Sequence, residues 1–170
     1  MYELRENEQY FFDQSTLDHL SKFLGEISDP CCLCAPLLGQ AMEKNGLSVT
    51  ILDIDDRFSS LPGFLHYDLH RPKWLGKKFG VILCDPPFYK VSLSQLFAAI
   101  RMISCNDFHQ PLLISYLRRR AANVINTFSW FRIKATGYFP GYQTVQRCQK
   151  NEIEFFSNLS HDAIEKLVRV

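Results

Sequence analysis

Apolar residues occur along this chain at two spacings, as short continuous runs and as runs in which every third or fourth position is apolar. The continuous runs predict buried β-strands, and the wider spacing predicts amphipathic helices. The pattern places strands at 31–35, 49–53, 64–67, 79–84, 111–117, 131–138 and 152–156, and helices at 15–24, 37–44, 93–103 and 121–128. Ser15 and Asp18 have the spacing of a capping box at the start of the first helix. Strands that alternate with helices predict a parallel sheet of the α/β class.

The last two predicted strands have no helical pattern between them, so an antiparallel hairpin at the sheet edge is expected. A mostly parallel seven-stranded sheet with a reversed edge strand is similar to the Rossmann-like fold of S-adenosylmethionine-dependent methyltransferases. No linker or repeat divides the chain. Residues 1–170 are therefore predicted to form a single domain, with 1–29 as an N-terminal helical extension packed on it.

Composition and charge narrow the class of protein. Of the 170 residues, 46% are hydrophobic, which is enough for a substantial core, and the formal net charge is only +1. A free-standing nucleic-acid binder is usually more basic, so such a partner would have to use a local patch, of which Arg118–Arg120 is the densest. The six cysteines lack zinc-site spacing, and those in apolar runs predict buried structural thiols in a reducing compartment. No apolar run approaches about 20 residues, so no membrane contact and a cytoplasmic location are expected.

The most informative motif follows the strand predicted at 79–84. Asp85-Pro86-Pro87-Phe88 places an acid, two prolines and an aromatic at the carboxyl end of a buried strand, where ligands bind in open α/β sheets. Asp85 can accept a hydrogen bond from an amino group, the proline nitrogens carry no donor, and Phe88 offers a flat face on which a flipped base can stack. All four residues are assigned as candidate catalytic residues.

Acidic residues also end the two preceding strands. Asp53 or Asp55 follows one strand, and Asp68 follows the next. Carboxylates at this edge can bind ribose hydroxyls or amino groups of a nucleoside cofactor. The turn after the first strand, Cys34-Ala35-Pro36, lacks the glycines of a phosphate cradle. This disfavours NAD and ATP but permits S-adenosylmethionine, which has no phosphate groups.

Together these segments resemble the N6-adenine methyltransferase-like family, which includes translation elongation-factor lysine methyltransferases and zinc-knuckle ribosomal-RNA adenine methyltransferases. The resemblance extends over most of the chain, through segments 9–12, 34–36, 53–58, 67–69, 85–88 and 151–152. It implies S-adenosylmethionine as the cofactor. It also implies cofactor binding by the residues at the matching positions, which are Cys34, Ala35, Pro36, Asp53, Asp55, Asp68 and Leu69. The zinc-knuckle branch has Cys/His modules that this chain lacks, and no metal site is expected.

The expected reaction is methyl transfer to an amino nitrogen. Asp85 and the Pro86 carbonyl would accept hydrogen bonds from its two N–H groups. These two contacts would point the nitrogen lone pair towards the methyl group. Phe88 would stack on adenine or would line the channel of a lysine side chain.

The resemblance leaves the acceptor open. Adenine N6 in nucleic acid is favoured, because Phe88 and the aromatic loop at 138–142 offer flat surfaces beside the acid. RNA is expected rather than DNA. A lysine of a translation factor is the alternative, and the near-neutral charge favours it. A non-catalytic methyltransferase-like subunit of an active partner is a third possibility. A nucleotide-binding oxidoreductase is disfavoured by the missing Gly-x-Gly-x-x-Gly pattern.

Overall fold

The computed structural model describes residues 1–169 and shows a single β-sheet with helices on both faces. The strands in this part of the chain are β1 (Pro30–Leu33), β2 (Thr50–Asp53), β3 (Phe64–His66), β4 (Val81–Cys84), β5 (Leu112–Leu117), β6 (Lys134–Ala135) and β7 (Ile153–Ser157). The α-helices are α1 (Gln14–Gly25), α2 (Pro36–Lys44), α3 (Leu93–Ile103), α4 (Ala121–Thr127) and α5 (His161–Val168). Short 3-10 turns occur at Arg5–Asn7, Asp56–Phe58, Arg118–Arg120 and Ser129–Phe131.

The strand order across the sheet is β3-β2-β1-β4-β5-β7-β6. The first five strands are parallel, whereas β7 is antiparallel to both β5 and β6. This arrangement confirms the predicted α/β class and the mostly parallel seven-stranded sheet. The reversed strand is β7, and β6 lies outside it at the edge.

The strand order reverses at β1: β2 and β3 are added on one side of β1, and β4 and β5 are added on the other side. Helix α2 follows β1 and packs on one face of the sheet, whereas α3 follows β4 and packs on the other face. The turns that leave β1 and β4 therefore separate, and this opens a crevice at the carboxyl ends of the strands.

Two hydrophobic layers hold the helices on the sheet, and β4 shows how the sequence divides between them. Val81 and Leu83 face the layer that contains α1, α2 and α5, whereas Ile82 and Cys84 face the layer that contains α3 and α4. All four side chains are fully buried. The continuous apolar run follows from this, because both faces of a parallel strand are covered.

The cysteines are free thiols, and three of them are core residues. Cys31, Cys32 and Cys84 are fully buried in strands, as predicted for structural thiols. Cys34 also follows an apolar run but is only partly buried, Cys105 is partly exposed and Cys148 is exposed.

The predicted capping box at the first helix is wrong. Helix α1 begins at Gln14, and the cap is Asp13, whose Oδ1 accepts a hydrogen bond from the Thr16 amide at 2.8 Å. Asp18 instead accepts from the Gln14 side chain at 2.7 Å. Both Ser15 and Asp18 are exposed.

The C-terminal third differs from the prediction in two elements. Strand β6 is only two residues long, because Ser129–Phe131 form a 3-10 turn and Arg132 adopts a left-handed backbone with φ of 58°. Helix α5 was not predicted. Its sequence signal was present, since Ser160 supplies a cap and Ile164, Leu167 and Val168 have helical spacing, although only Leu167 is buried. Within residues 1–169, no helix has both the length and the apolar character needed to cross a bilayer.

Candidate active site

A cavity of about 680 Å³ lies at the carboxyl edge of the parallel strands. Small-molecule sites occupy roughly 300–1,000 Å³. Its walls come from the turns after β1, β2, β3 and β4, from the N-terminal residues and from the β6–β7 loop. The predicted site residues that line it are Cys34, Ala35, Pro36, Asp53, Asp68, Leu69, Asp85, Pro86, Pro87 and Phe88. Asp55 is the one predicted residue outside this lining.

Sheet register places Asp85 beside two hydroxyl groups. Strands β4 and β5 pair Cys84 with Ile114, so the next residues, Asp85 and Ser115, are neighbours. The Ser115 hydroxyl donates to Asp85 Oδ1, and the Tyr142 hydroxyl donates to the same oxygen at 2.7 Å. In the part of the chain that the structure describes, no donor bonds to Oδ2, so that oxygen is free to accept a hydrogen bond from a ligand.

The protonation of this group is set mainly by its burial. Burial raises the pKa of Asp85 from 3.8 to about 7, and the hydrogen bonds from Ser115 and Tyr142 limit the rise because they favour the charged form. The carboxyl group therefore changes charge near neutral pH. Burial and the Asp85 charge raise the pKa of Tyr142 well above its ordinary value, so Tyr142 remains a hydrogen-bond donor.

The residues that follow Asp85 have different environments. No donor among residues 1–169 bonds to the Pro86 carbonyl, whereas the Pro87 carbonyl accepts from the Val91 amide at 3.2 Å. Phe88 is partly exposed and packs edge-on against Tyr116, with ring centroids 5.1 Å apart. Pro86 and Phe88 both line the cavity, so the loop combines a carbonyl that has no donor within residues 1–169 with a partly exposed aromatic ring.

Asp53 and Asp68 lie on the β2–β3 side of the cavity. Asp53 is buried, its Oδ1 accepts from the Asp55 amide at 2.8 Å, and burial raises its pKa from 3.8 to about 6. Asp68 is partly exposed, and its Oδ1 accepts from the His70 amide at 2.8 Å. No donor among the described residues bonds to the second Asp68 oxygen, which is therefore open to a ligand.

The turn after β1 forms the wall between these two sides. The strand ends at Leu33 because Cys34 adopts a left-handed backbone, with φ of 56°, which is uncommon for a residue other than glycine. Helix α2 then begins at Pro36. A Cβ on Gly39 would overlap the Ile51 side chain, so the single glycine of this segment allows close packing of helix on strand.

Asp55 lies in an ion pair instead of the cavity wall. Its Oδ2 accepts from Arg57 Nη2 at 2.7 Å and from Gln9 Nε2 at 2.9 Å. Burial raises the pKa of Asp55, but the hydrogen bonds from Arg57 and Gln9 outweigh it and hold the value below 3.8. Asp55 therefore joins the β2 turn to the N-terminal residues, and its contact with a cofactor stays a prediction.

Residues 7–12, which we call the N-terminal strap, line the cavity although the sequence prediction gave them no role there. Glu8 accepts hydrogen bonds from the backbone amides of Tyr89 and Lys90, both at 3.0 Å, directly after Phe88. The sequence did contain a signal for this role, because segment 9–12 is one of those that resemble the family. The strap is linked to the β2 turn through Gln9 and to the loop after β4 through Glu8.

The aromatic loop at 138–142 contributes only Tyr142 to the cavity. Tyr138 is buried and stacks on His19, with ring centroids 5.1 Å apart. Phe139 does not line the cavity. The expectation that this whole loop offers flat surfaces to a base is therefore wrong.

The arginine run divides between two environments. Arg118 pairs with Glu152 at 2.7 Å and with Glu154 at 3.7 Å, so its charge is compensated. Arg119 lines the cavity and donates to the hydroxyl of Tyr89, which is 76% exposed. The cationic residues that line the cavity are Lys90, Arg119 and Lys150.

In residues 1–169, no group of three or more His, Cys, Asp or Glu side chains is arranged to hold a metal ion. The histidines that flank Asp68 have other partners. His66 Nδ1 contacts Asp56 at 2.8 Å, and His70 Nδ1 contacts the Gln95 amide at 3.1 Å.

The strand order with a single reversed strand next to one edge, together with a ligand-sized cavity at the switch point, assigns the protein to the Rossmann-like methyltransferase class. The model of the family described as probable N6-adenine methyltransferases matches residues 3–161. The chain therefore belongs to this family, as its sequence resemblance predicted.

Solved structures of low sequence identity share this fold. Magnesium protoporphyrin IX methyltransferase from Synechocystis, solved with bound S-adenosylmethionine, aligns with a TM-score of 0.55 and 15% identity over 86% of this chain and 79% of that chain. Human N-acetylserotonin methyltransferase, solved with the same cofactor, aligns with a TM-score of 0.53 and 9% identity over 84% and 51%. A Thermoplasma acidophilum protein aligns with a TM-score of 0.54 and 19% identity over 95% and 99%. No curated protein matches the chain.

Proposed function

We propose that this protein transfers a methyl group from S-adenosylmethionine to adenine N6 in RNA. The observation that carries the proposal is the shared cavity, in which Asp53 and Asp68 lie on one side and the Asp85–Phe88 loop forms another wall. A volume of about 680 Å³ can hold a nucleoside cofactor together with the amino edge of an acceptor. Membership of the family supports this class of reaction.

The β1–β3 side of the cavity has the properties that S-adenosylmethionine requires. The second oxygen of Asp68 can accept a hydrogen bond from a hydroxyl or amino group of the adenosyl part, and buried Asp53 supplies a second carboxyl group. Ala35, Pro36 and Leu69 provide apolar surface. A bound S-adenosylmethionine would supply an electrophilic methyl group on its sulfonium.

The protein's own groups position the acceptor. Asp85 Oδ2 and the Pro86 carbonyl have no donors within residues 1–169. Each can therefore accept a hydrogen bond from one of the two N–H groups of an amino nitrogen. These two hydrogen bonds would draw electron density towards the nitrogen and fix the direction of its lone pair. Phe88 would hold the base by stacking, which is worth about 1–3 kcal/mol.

The rim of the cavity supports a nucleic-acid acceptor. Tyr89 is highly exposed, directly follows Phe88 and is held by Arg119, so it offers a second flat surface for a neighbouring base. Lys90, Arg119 and Lys150 add positive charge for phosphates at the same opening. Adenine in an unpaired region would be the better acceptor, because extrusion from a duplex costs a few kcal/mol.

A protein lysine is the second candidate acceptor, and the net charge of +1 favours it. The same two acceptor atoms could orient a neutral amine. A lysine ammonium would first have to lose a proton, because its ordinary pKa is about 10.4.

Removal of the Asp68 carboxylate is expected to weaken the binding of S-adenosylmethionine. The Asp68→Ala substitution should cost about 1–3 kcal/mol, which is the range for a lost hydrogen bond in a partly buried site. Isothermal calorimetry measures the change. Asp56→Ala is the matched control, because Asp56 is an exposed acid in the preceding turn and does not line the cavity. Wild-type protein that shows no saturable binding at millimolar cofactor would contradict the proposed enzyme and support the non-catalytic subunit.

Truncation of the rim is expected to impair RNA methylation. Tyr89→Ala and Arg119→Ala should each lower transfer to an oligonucleotide with an unpaired adenine by roughly tenfold, through lost stacking and a lost phosphate contact. Arg119→Ala should also reduce the salt dependence of RNA binding by about one unit of slope. Rates with labelled methyl donor measure the effect, with Arg101→Ala on exposed α3 surface as the control.

A second assay tests the acceptor without assuming its identity. Whole-cell RNA and protein are incubated with enzyme and labelled donor and are then treated with RNase, DNase or protease. Label that disappears with RNase supports the proposal. Label that survives both nucleases and is lost with protease establishes the lysine candidate instead.

A further inference from the structure

We infer that Ser115 and Tyr142 are positioning residues that fix Asp85 for the amino group of the acceptor. This inference rests on the proposed function. Both hydroxyls donate to Oδ1 of the carboxylate, so Oδ1 is occupied and Oδ2 alone is left for the acceptor. Two hydrogen bonds to one oxygen restrain the rotation of the carboxylate, which otherwise could present either oxygen to the cavity.

Ser115 owes its position to the sheet. It is fully buried in the middle of β5, opposite Phe155 of β7. Its backbone pairs with β7 and lies one residue beyond the last β4–β5 pair, so its hydroxyl is held beside the end of β4. A buried serine hydroxyl needs a partner, and the acceptor bonded to it here is the Asp85 carboxylate.

Tyr142 owes its position to the N-terminal strap. Its backbone forms an isolated antiparallel bridge with Phe12, and the two rings lie 5.1 Å apart. The neighbouring Gly141 carbonyl accepts from the Asp13 amide, and its own amide donates to Thr16 Oγ1, both at 2.9 Å. Side-chain atoms of Asp13 leave no room for a Cβ at Gly141. The first residues of the chain thus hold the hydroxyl that contacts Asp85.

The two hydroxyls also act on the charge of Asp85. As donors they favour the carboxylate, which is the form that accepts an amino hydrogen bond. Other titratable or charged groups line the same cavity. They include the Cys34 thiol after β1, the Asp53 and Asp68 carboxyls after β2 and β3, the Glu8 carboxyl of the strap and the cations Lys90, Arg119 and Lys150. Neither Cys34, Asp53 nor Glu8 has a direct hydrogen bond to Asp85 in the described residues.

The test uses Tyr142→Phe and Ser115→Ala, which remove one donor each and add no bulk. Each is expected to lower kcat roughly 10- to 100-fold, the value of a hydrogen bond to a charged group, while KM for S-adenosylmethionine stays within about twofold. The pH at which activity is half-maximal should rise by about one unit. Tyr138→Phe is the matched control, because Tyr138 is a buried tyrosine of the same loop that does not line the cavity.

A titration of the Asp85 carboxyl carbon by ¹³C NMR, without any acceptor, separates this inference from the proposed function. A higher Asp85 pKa in both variants, with no change in the Tyr138→Phe control, supports the positioning role. An unchanged Asp85 pKa, or a loss of activity equal in all three variants with no shift of the pH profile, overturns it. Wild-type protein that methylates no RNA or protein overturns the proposed function, whatever the NMR titration shows.

Discussion

Asp85→Asn is expected to abolish methyl transfer while the fold and the affinity for cofactor stay intact. The amide has almost the same shape as the carboxylate, and Ser115 and Tyr142 can continue to donate to its oxygen. The atom that faces the cavity then changes from an acceptor oxygen to an NH₂ group. The NH₂ of the new amide would then face the amino group of the methyl acceptor, donor against donor. We therefore expect a rate loss of at least roughly 10³-fold.

Initial rates with labelled methyl donor measure this loss, and calorimetry checks that cofactor binding changes by less than about twofold. Asp162→Asn is a suitable control because Asp162 is an exposed acid in the first turn of α5, outside the cavity. A variant that retains more than about a tenth of the wild-type rate would show that Asp85 Oδ2 does not accept a hydrogen bond from the amino group of the substrate.

The same substitution is expected to stabilise the folded protein above neutral pH. The pKa of Asp85 is about 7 in the folded state, against 3.8 for its ordinary value, because burial disfavours the charge. Between these values the folded state binds a proton that the unfolded state has lost. Stability from this group is therefore present at low pH and is lost as pH rises through about 7. A shift of about three units corresponds to up to about 4 kcal/mol.

Urea denaturation between pH 4 and pH 8.5 tests this prediction. The free energy of unfolding of Asp85→Asn should exceed that of the wild type by about 2–4 kcal/mol at pH 8 and should be close to it at pH 4. Some pH dependence in the same direction should remain in the variant, because burial also raises the pKa of Asp53 to about 6. A difference between the two proteins that does not vary with pH would rule out Asp85 as the cause.

The sequence by itself determined the elements whose signals are local. The amphipathic spacing at 93–103 predicted α3 with its bounds as observed, because the buried stripe lies entirely within the helix segment. The buried run that ends at Cys84 predicted β4, and chain order then placed Asp85 at the carboxyl edge. The motif needed no tertiary information, since its chemistry lies in four consecutive residues.

Only the tertiary structure decided how Asp85 is held. Tyr142 is 57 positions away from Asp85, and Ser115 reaches it only through the β4–β5 register. It also decided that Gln9 of the strap donates to Asp55 and that Tyr138 is buried. These outcomes depend on which distant segments meet at one sheet edge, and a pattern read along the chain does not contain that information. The packing of the strap against the loops fixes the groups around Asp85, because contacts between distant residues form only when the sheet and both helical layers are assembled.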